Sequence, residues 1–335
     1  MENSLPSVTV MMPVRNEQHH LPKAVESVLA QNYPGQLEII LAIGPSVDET
    51  KRIASELSNK HSGIKLIENP KGLTTVGLNL AIAASSGEII IRVDAHSELA
   101  ENYIARGVEI LRETGSVLVG GIMNARGKSP LQKAVAFGYG SRLGLGGGRY
   151  HVGGKEGEAE SAYLGIFDAT ALRKVSGYDE KIIRGEDWDL AQRLKANGGK
   201  VWFDPELAVN YWPRSNIKAL AWQFYSTGIW RGELTKRSPT TASIRYFIPP
   251  LALLAMIILL LLTAFGAVES IFLIIPIALY LLMLSFAAGT AKLLGVIDRL
   301  MIFIALPVMH ISWAVGFWVG LIIGARKTVD AGDKK

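Results

Sequence analysis

A carboxylate and an imidazole stand two positions apart, directly after an apolar run, in the stretch "IIIRVDAHSEL" (89–99). Asp94 and His96 could hold one divalent cation together, because carboxylates suit hard cations and imidazole suits borderline metals such as Mn²⁺. The alternative is that Asp94 caps the next turn and that His96 is simply an exposed side chain. These two residues alone leave both interpretations open.

The elements that would position these residues alternate between strands and helices. We predict strands over 7–14, 37–44, 64–69 and 88–95, and helices over 20–31, 48–60 and 74–85. Strands that are apolar on both faces are typical of a parallel sheet covered by helices. Ligands of such open sheets bind outside the carboxyl ends of the strands. Asp94 lies at one of these ends, and Arg15-Asn16-Glu17 lies at another.

The last quarter of the chain has a different composition. Of 35 Lys and Arg residues and 30 Asp and Glu residues, only 6 and 4 follow Tyr246. Three apolar runs fill this part, over 251–268, 271–288 and 300–324. A helix needs about 20 apolar residues to cross the hydrocarbon core of a bilayer, which is about 30 Å thick. We therefore predict about three transmembrane helices behind a large aqueous domain.

The charge distribution predicts which side of the membrane the aqueous domain occupies. The first residues, "MENSLPSVTVMMPVRNE", do not have the pattern of a signal peptide, and the chain has no cysteine. Six basic residues and one acidic residue lie between Leu207 and Tyr246, next to the first apolar run. We expect a multi-pass protein of the cell (inner) membrane whose aqueous domain is cytoplasmic. The basic excess beside the membrane favours anionic headgroups or a lipid diphosphate, so nucleic acid is not expected as a partner.

Four segments, "VTVMMPVRNE", "GLNLAIAASSGEIIIRVDAHS", "GYDEKIIRGEDWDLAQRLKANGGKVWFDP" and "YWPRSN", follow one another within residues 7–240. In order and spacing they resemble the family 2 glycosyltransferases, in particular the succinoglycan-type membrane transferases that build lipid-linked polysaccharide. The resemblance implies a GT-A fold, which is an α/β architecture with a Rossmann-like, mostly parallel sheet and flanking helices. It also implies a nucleotide-diphosphate sugar donor, a divalent metal and inversion at the anomeric carbon.

The resemblance assigns catalysis to the "GEDW" motif. Asp187 would be the base that takes the proton of the acceptor hydroxyl, and Glu186 would orient or flank it. Trp188 would form an apolar wall of the acceptor pocket. An alternative that is compatible with this role is that the two acids open a helix, whose positive end favours negative charge.

The resemblance assigns the donor site to the first and fourth strand ends. Pro13, Arg15, Glu17 and Asp94 would bind the nucleotide, with a UDP-sugar favoured. Asp94 and His96 align with a metal motif that is usually Asp-x-Asp, and they would hold Mn²⁺ or Mg²⁺ against the diphosphate.

The chain departs from the family at the end of the second strand. Family members usually place there an Asp that reads the nucleobase, and Ile43 stands at this position. Backbone groups or Glu17 could take over this contact, or the base could differ from uracil.

Residues on the acceptor side are less sharply defined. The stretch 137–154, with eight glycines, is interpreted as a mobile acceptor loop because glycine lets backbone approach a ligand closely. Residues 216–234 have the spacing of an amphipathic interfacial helix. By the resemblance, the candidates for contact with the acceptor or its diphosphate are Trp188, Arg214, Gln223, Trp230 and Arg231, and structural anchoring is the alternative role of Trp230.

We therefore predict a cytoplasmic GT-A domain over 1–215, an amphipathic interfacial segment over 216–246, transmembrane helices over 247–325 and a polar tail over 326–335. The expected reaction transfers a sugar to a polyprenyl-diphosphate-linked saccharide at the membrane. Two alternatives remain: a transferase whose acceptor is polyprenyl phosphate, and a non-catalytic membrane scaffold with a degenerate nucleotide-sugar fold.

Overall fold

The computed structural model describes residues 5–325, so the predicted polar tail over 326–335 lies outside the described residues. The chain divides into two compact units. The first comprises residues up to 124 and 153–211, and the second comprises 125–152 and the residues from 212 onward. The segment 125–152, which the sequence placed in the first domain, is thus part of the second unit.

Apart from one residue, Ala125, the strands within residues 5–325 belong to the first unit. They are β1 (Val8–Val14), β2 (Leu37–Ile43), β3 (Ile64–Glu68), β4 (Ile89–Arg92), β5 (Glu98–Leu99), β6 (Leu118–Ala125), β7 (Gly157–Glu158), β8 (Tyr163–Asp168) and β9 (Val201–Tyr211). They form one sheet in the order β3-β2-β1-β4-β8-β6-β9-β5, with β7 paired to β9. Strands β3, β2, β1 and β4 are parallel neighbours, whereas β4 pairs with β8 in antiparallel fashion. The predicted parallel half of the sheet is confirmed.

The helices, in chain order, are α1 (Leu21–Leu29), α2 (Thr50–Lys60), α3 (Thr74–Ala84), α4 (Tyr103–Thr114), α5 (Pro130–Gly140), α6 (Arg142–Leu145), α7 (Arg149–Val152), α8 (Ala169–Lys174), α9 (Glu186–Ala196), α10 (Ile217–Arg237), α11 (Ile248–Ala264), α12 (Ile271–Thr290), α13 (Val296–Leu300) and α14 (Ile302–Ile322). Helices α1–α4, α8 and α9 belong to the first unit, and the others belong to the second.

The sheet has a hydrophobic core on each face. Successive side chains of a strand point to opposite faces, so Val10 and Met12 pack into one core while Met11 packs into the other. Ile90 shares the second core with Met11, and Ile91 packs into the first. Burial on both faces explains why these strands are uninterrupted apolar runs.

The second unit carries three helical stretches long and apolar enough to cross a membrane, over Ile244–Ala264, Ile271–Thr290 and Val296–Ile322. This confirms the predicted spans by length and composition. Most apolar side chains of α11 and α12 are exposed in the isolated chain. Such a surface suits lipid tails and is unfavourable in water.

Helix α10 packs along α14 through glycines on both helices. A Cβ atom at Gly232 would lie 2.2 Å from the carbonyl oxygen of Phe317, and one at Gly320 would lie 1.9 Å from that of Ile229. Small residues spaced four apart let two helix backbones approach closely, as they do between helices in membranes. The predicted interfacial helix is therefore a partner of the third span, and its location at the membrane interface stays a prediction.

The glycine-rich stretch 137–154, predicted as a loop, contains the end of α5 and the one-turn helices α6 and α7. The carbonyl oxygen of Leu143 lies 2.9 Å from Nε2 of His310 on α14, whose Nδ1 lies 2.9 Å from the Tyr280 hydroxyl. Hydrogen bonds to the half-buried imidazole of His310 thus connect this segment to the spans.

Candidate active site

The loop after β1 is held by side chains of the segment that follows β2. The backbone N–H groups of residues 16–18 donate hydrogen bonds to Ser46 Oγ (3.1 Å), Thr50 Oγ1 (2.8 Å) and Asp48 Oδ2 (3.2 Å). These three side chains satisfy backbone donors that no strand or helix pairs, so they fix the shape of the loop at the carboxyl edge of the sheet.

The predicted donor residues Pro13 and Arg15 lie at the end of β1 and are half-buried. Arg15 Nε donates to the carbonyl oxygen of Pro45, 3.2 Å away. Ile43, at the end of the neighbouring strand β2, is 5% exposed and belongs to the core. Its side chain offers no polar group to a base, which agrees with the departure from the family seen in the sequence.

The buried guanidinium group of Arg92 contacts three of the carboxylates that were predicted for the site. Arg92, the last residue of β4, has a side chain that is 6% exposed. Its Nε lies 3.0 Å from Asp94 Oδ1, and its Nη1 lies 2.6 Å from Asp187 Oδ1 and 3.1 Å from Glu186 Oε1. Residues more than ninety positions apart in the chain therefore meet on one arginine.

The "GEDW" residues are positioned by the first turn of α9. Gly185 precedes the helix with a φ of 80°, and Glu186, Asp187 and Asp189 occupy its first turn. The partial positive charge at a helix N-terminus stabilises acids there. Both interpretations of Glu186 and Asp187 that the sequence allowed fit the structure, because the two acids lie in the first turn of α9 and also contact Arg92.

The surroundings shift the pKa values of Asp187 and Asp94 in opposite directions. Burial raises the pKa of Asp187 to about 7; Arg92 lowers this pKa, while Glu186 and Asp94 add to the rise. Burial also acts to raise the pKa of Asp94, but the charges of Arg92 and His96 outweigh it and lower this pKa below its usual value. An ionised carboxylate beside one that exchanges a proton near neutral pH is the electrostatic pattern of an active site.

Tyr178 completes the surroundings of Asp187. Its hydroxyl lies 3.5 Å from Asp187 Oδ1, and its ring centroid lies 5.9 Å from Arg92 Cζ. The side-chain amide of Asn79, on α3, bonds both the carbonyl oxygen (2.9 Å) and the N–H (2.8 Å) of Tyr178. Helix α3 thereby fixes the segment that leads into α9.

His96 is oriented by a carboxylate of the first loop. Its Nδ1 lies 3.0 Å from Glu17 Oε1, while Glu17 Oε2 lies 3.1 Å from Nδ1 of His20. A carboxylate on one ring nitrogen is the usual way to orient a histidine whose other nitrogen binds a metal. The ring of His96 is 44% exposed, and Asp94 bonds Arg92 through Oδ1.

No group of three His, Cys, Asp or Glu residues suited to a metal ion occurs within residues 5–325. Nevertheless, Mg²⁺ and similar ions in phosphate-transfer sites often take only one or two protein ligands, with substrate phosphates and water supplying the rest. Asp94 and His96 therefore fit an ion that is bound together with a diphosphate.

Trp188 is buried, with 7% of its surface exposed, and its Nε1 donates to Glu160 Oε1 at 2.7 Å. Gln192, one turn further along α9, donates to the carbonyl oxygen of Glu160 at 2.9 Å. The tryptophan thus anchors α9 to the segment before β8, and its predicted place in the acceptor pocket stays a prediction.

With this geometry established, comparison with known proteins assigns a family. Residues 9–167 match the family described as "Glycosyl transferase family 2". This chain carries a family 2 glycosyl transferase domain. The predicted resemblance to the family 2 glycosyltransferases, the GT-A-like fold and the assignment as a glycosyltransferase are confirmed.

Two relatives of this glycosyltransferase span almost its whole length. It is 28% identical to succinoglycan biosynthesis protein ExoA of Rhizobium meliloti (strain 1021), over 96% of this chain and 97% of the relative. It is 24% identical to the dolichyl N-acetyl-alpha-D-glucosaminyl phosphate 3-beta-D-2,3-diacetamido-2,3-dideoxy-beta-D-glucuronosyltransferase of Methanococcus voltae, over 95% and 98%.

Among solved structures, the glycosyltransferase resembles the mannosyltransferase PcManGT of Pyrobaculum calidifontis in complex with GDP-Man and Mn²⁺. The TM-score is 0.65 at 18% identity, and the match covers 96% of this chain and 88% of the other. A likeness at this identity shows the fold.

The remaining predicted acceptor residues of the glycosyltransferase belong to the second unit. Arg214 is exposed, and Gln223 Nε2 donates to the Tyr139 hydroxyl at 3.1 Å. Trp230 is 3% exposed, and the guanidinium carbon of Arg231 lies 4.3 Å from the ring centroid of Tyr246. Their predicted contact with the acceptor stays a prediction.

The sequence interpretation missed Arg92, Tyr178, Asn79 and Glu160. A signal for Arg92 was present, because a charged residue two positions before Asp94 lies on the same side of an extended chain. Tyr178, Asn79 and Glu160 act through contacts between distant segments, and neither their types nor their spacing distinguish them from other polar residues.

Proposed function

We propose that this glycosyltransferase moves a sugar from a nucleotide-diphosphate sugar to a polyprenyl-diphosphate-linked saccharide, with inversion at the anomeric carbon. The single observation that carries the proposal is the meeting of Asp94, Glu186 and Asp187 on Arg92. A donor-side carboxylate and a candidate base then lie within one cluster, as transfer of a sugar to a hydroxyl group requires. The cluster also argues against a non-catalytic scaffold.

Asp187 is the base in this proposal. A carboxylate with a pKa of about 7 can accept a proton from the acceptor hydroxyl as the glycosidic bond forms, and can release it to water afterwards. Glu186 lies on the same Arg92 nitrogen and flanks the base. Inversion follows because the acceptor attacks from the side opposite to the departing diphosphate.

The donor binds at the carboxyl ends of β1 and β4, where Pro13, Arg15, Glu17 and Asp94 lie. Asp94 and His96 would hold Mn²⁺ or Mg²⁺, and a divalent ion bound there supplies positive charge to the departing diphosphate. The GDP-Man and Mn²⁺ in the structural neighbour support this class of donor and metal. A UDP-sugar is our preferred donor, although Ile43 removes the carboxylate that usually reads uracil.

The lipid-linked acceptor is supported by the name of one relative that matches almost the whole chain, which is named for a dolichyl-linked sugar phosphate. The other such relative is a succinoglycan biosynthesis protein, and its name supports a role in polysaccharide assembly. Because the transferase unit is covalently joined to three candidate spans, its reaction takes place at a membrane. We place the transferase unit on the cytoplasmic side of the inner membrane, and assign the acceptor to Trp188, Arg214, Gln223, Trp230 and Arg231.

The relative from Methanococcus voltae also favours a specific alternative acceptor, a saccharide on polyprenyl monophosphate. Purified enzyme supplied with matched monophosphate- and diphosphate-linked acceptors distinguishes the two. Faster transfer to the diphosphate acceptor is the expected result.

Replacing the base tests the proposal directly. Asp187→Asn keeps the shape of the side chain and its capacity to accept a hydrogen bond from Arg92, but it cannot accept the proton. We expect transfer of labelled sugar to fall by about 10³-fold while nucleotide binding changes little. The matched control is Asp189→Asn, since Asp189 lies on the same turn of α9 and pairs with Arg193. Full activity of Asp187→Asn would refute the assignment of the base.

A further inference from the structure

Arg92 is an unusual residue for its position in the sheet. It lies at the end of the central strand β4, in register with the fully buried Met11 of β1. Burying a guanidinium group has a large desolvation cost, and hydrophobic side chains of similar volume commonly replace buried ion pairs without loss of stability. The packing of β4 alone therefore gives no reason for a charge here.

The contacts of Arg92 divide between the two sides of the proposed reaction. Nε bonds Asp94, which lies on the donor side, whereas Nη1 bonds Glu186 and Asp187, which lie on the acceptor side. A guanidinium group is planar and rigid, and its donors point in set directions. Carboxylates bound to two of its nitrogens therefore keep a fixed separation and orientation.

Arg92 is itself held from a third side. Its guanidinium carbon lies over the ring of Tyr178, and the backbone of Tyr178 is fixed by two hydrogen bonds to Asn79. The side chain thus has little freedom to follow either carboxylate. Its low exposure makes it a poor candidate for direct contact with a substrate.

We propose that Arg92 is a positioning residue, which sets the separation between the donor-side carboxylate Asp94 and the base Asp187 through the planar geometry of its guanidinium group. This inference rests on the proposed function for the roles of the two aspartates. Beyond that function, a positive charge at residue 92 is insufficient to position the two aspartates, and the forked shape of arginine is required.

Two substitutions separate charge from shape. Arg92→Lys keeps the charge but replaces the fork by a single ammonium group, and Arg92→Gln keeps planar donors but removes the charge. The control is Arg193→Lys, because Arg193 on α9 also bonds one carboxylate and two backbone carbonyl oxygens, but outside the cluster. Each full-length variant is purified in detergent, and Tm, nucleotide binding with Mn²⁺, kcat and donor KM are measured.

We expect Arg92→Lys to lose about 100-fold in kcat, since a misplacement of about 1 Å between reacting groups costs that much. Donor KM and nucleotide binding should stay within about threefold of the unchanged enzyme. Arg193→Lys should keep its kcat. Recovery of kcat by Arg92→Lys to within about threefold would overturn the proposal, because charge alone would then suffice. It would also be overturned if both Arg92 variants failed to fold or lost nucleotide binding in parallel with kcat, since the role would then be structural.

An experimental structure of Arg92→Lys provides a readout that needs no activity. The distance between the carboxylates of Asp94 and Asp187 should change by about 1 Å or more from that in the unchanged protein. An unchanged distance would refute positioning by Arg92 even if the enzyme were active. If the unchanged enzyme transferred no sugar from any donor, the proposed function would fail, and this distance would still decide the role of Arg92.

Discussion

At the scale of single residues, the protonation of Asp187 controls the proposed chemistry. Its pKa is raised to about 7, so the base is increasingly protonated, and therefore inactive, as the pH falls below neutrality. We expect kcat to rise about tenfold per pH unit below about pH 7 and to level off above it. Nucleotide binding measured at each pH provides the control. A rate independent of pH between 5 and 8 would contradict the assignment.

The same shift predicts how stability depends on pH. Since the pKa of Asp187 is higher in the folded protein than in an unfolded chain, the protonated carboxyl favours folding, and this contribution is lost as pH rises through about 7. Asp187→Asn removes the ionisation. Between pH 6 and pH 8, the Tm of the unchanged protein should therefore decrease more than that of Asp187→Asn. An equal decrease in both would show that Asp187 does not titrate in this range.

Glu17 gives a further prediction at this scale, because its carboxylate orients His96. Glu17→Gln should weaken Mn²⁺ binding in the presence of nucleotide by about tenfold, as loss of such an orienting partner commonly does. Calorimetric titration of the full-length protein measures this affinity. Glu49→Gln is the control, since Glu49 is exposed and pairs with Arg52. Equal Mn²⁺ affinities in the two variants would separate Glu17 from the metal site.

The residues of the site were only partly predictable from the sequence. Asp94, Glu186 and Asp187 stand out because a carboxylate after an apolar strand and an acidic pair at a helix start are local patterns. For Arg92 the sequence offers only its place two positions before Asp94, and a single arginine at the end of an apolar strand does not show that it also contacts Glu186 and Asp187. Its role emerges only when segments more than ninety residues apart are brought together.

At the scale of elements, the contact between α10 and α14 is the feature most sensitive to a small change. Gly232→Ala would place a Cβ atom 2.2 Å from a backbone oxygen of Phe317, so one of the helices must shift. We expect a loss of stability of about 1–3 kcal/mol, measured as a lower Tm in detergent. Gly289→Ala on α12 is the control, since its Cβ atom would meet nothing within 4 Å among the described residues. A Tm for Gly232→Ala equal to that of the control would contradict this packing.

The elements themselves were predicted with unequal success. The parallel strands β1 and β4 were evident because burial on both faces leaves a nearly continuous apolar run. The two-residue strands β5 and β7 carry no such pattern, since they exist only through pairing with β9. Helix α10 was predicted from the spacing of its apolar residues. Its packing against α14 depends on its glycines, and glycine contributes nothing to an apolar pattern.

At the scale of the whole molecule, the membrane topology can be tested with a single label. The chain has no cysteine, so one introduced thiol reacts uniquely with a maleimide that cannot cross membranes. Val47→Cys, in the exposed turn after β2, should be labelled only after cells are permeabilised, because we place the transferase unit in the cytoplasm. Ala267→Cys, between the first two spans, should react in intact cells. Labelling of Val47→Cys in intact cells would reverse the orientation.

The most direct test of the central claim is an experimental structure of the full-length protein with a nucleotide sugar and Mn²⁺. We expect the diphosphate and the ion to lie beside Asp94 and His96, with the anomeric carbon between them and Asp187. Asp187 should face the side from which an acceptor hydroxyl can attack. A nucleotide bound away from Asp94, or an Asp187 side chain directed away from the sugar, would refute the proposed function.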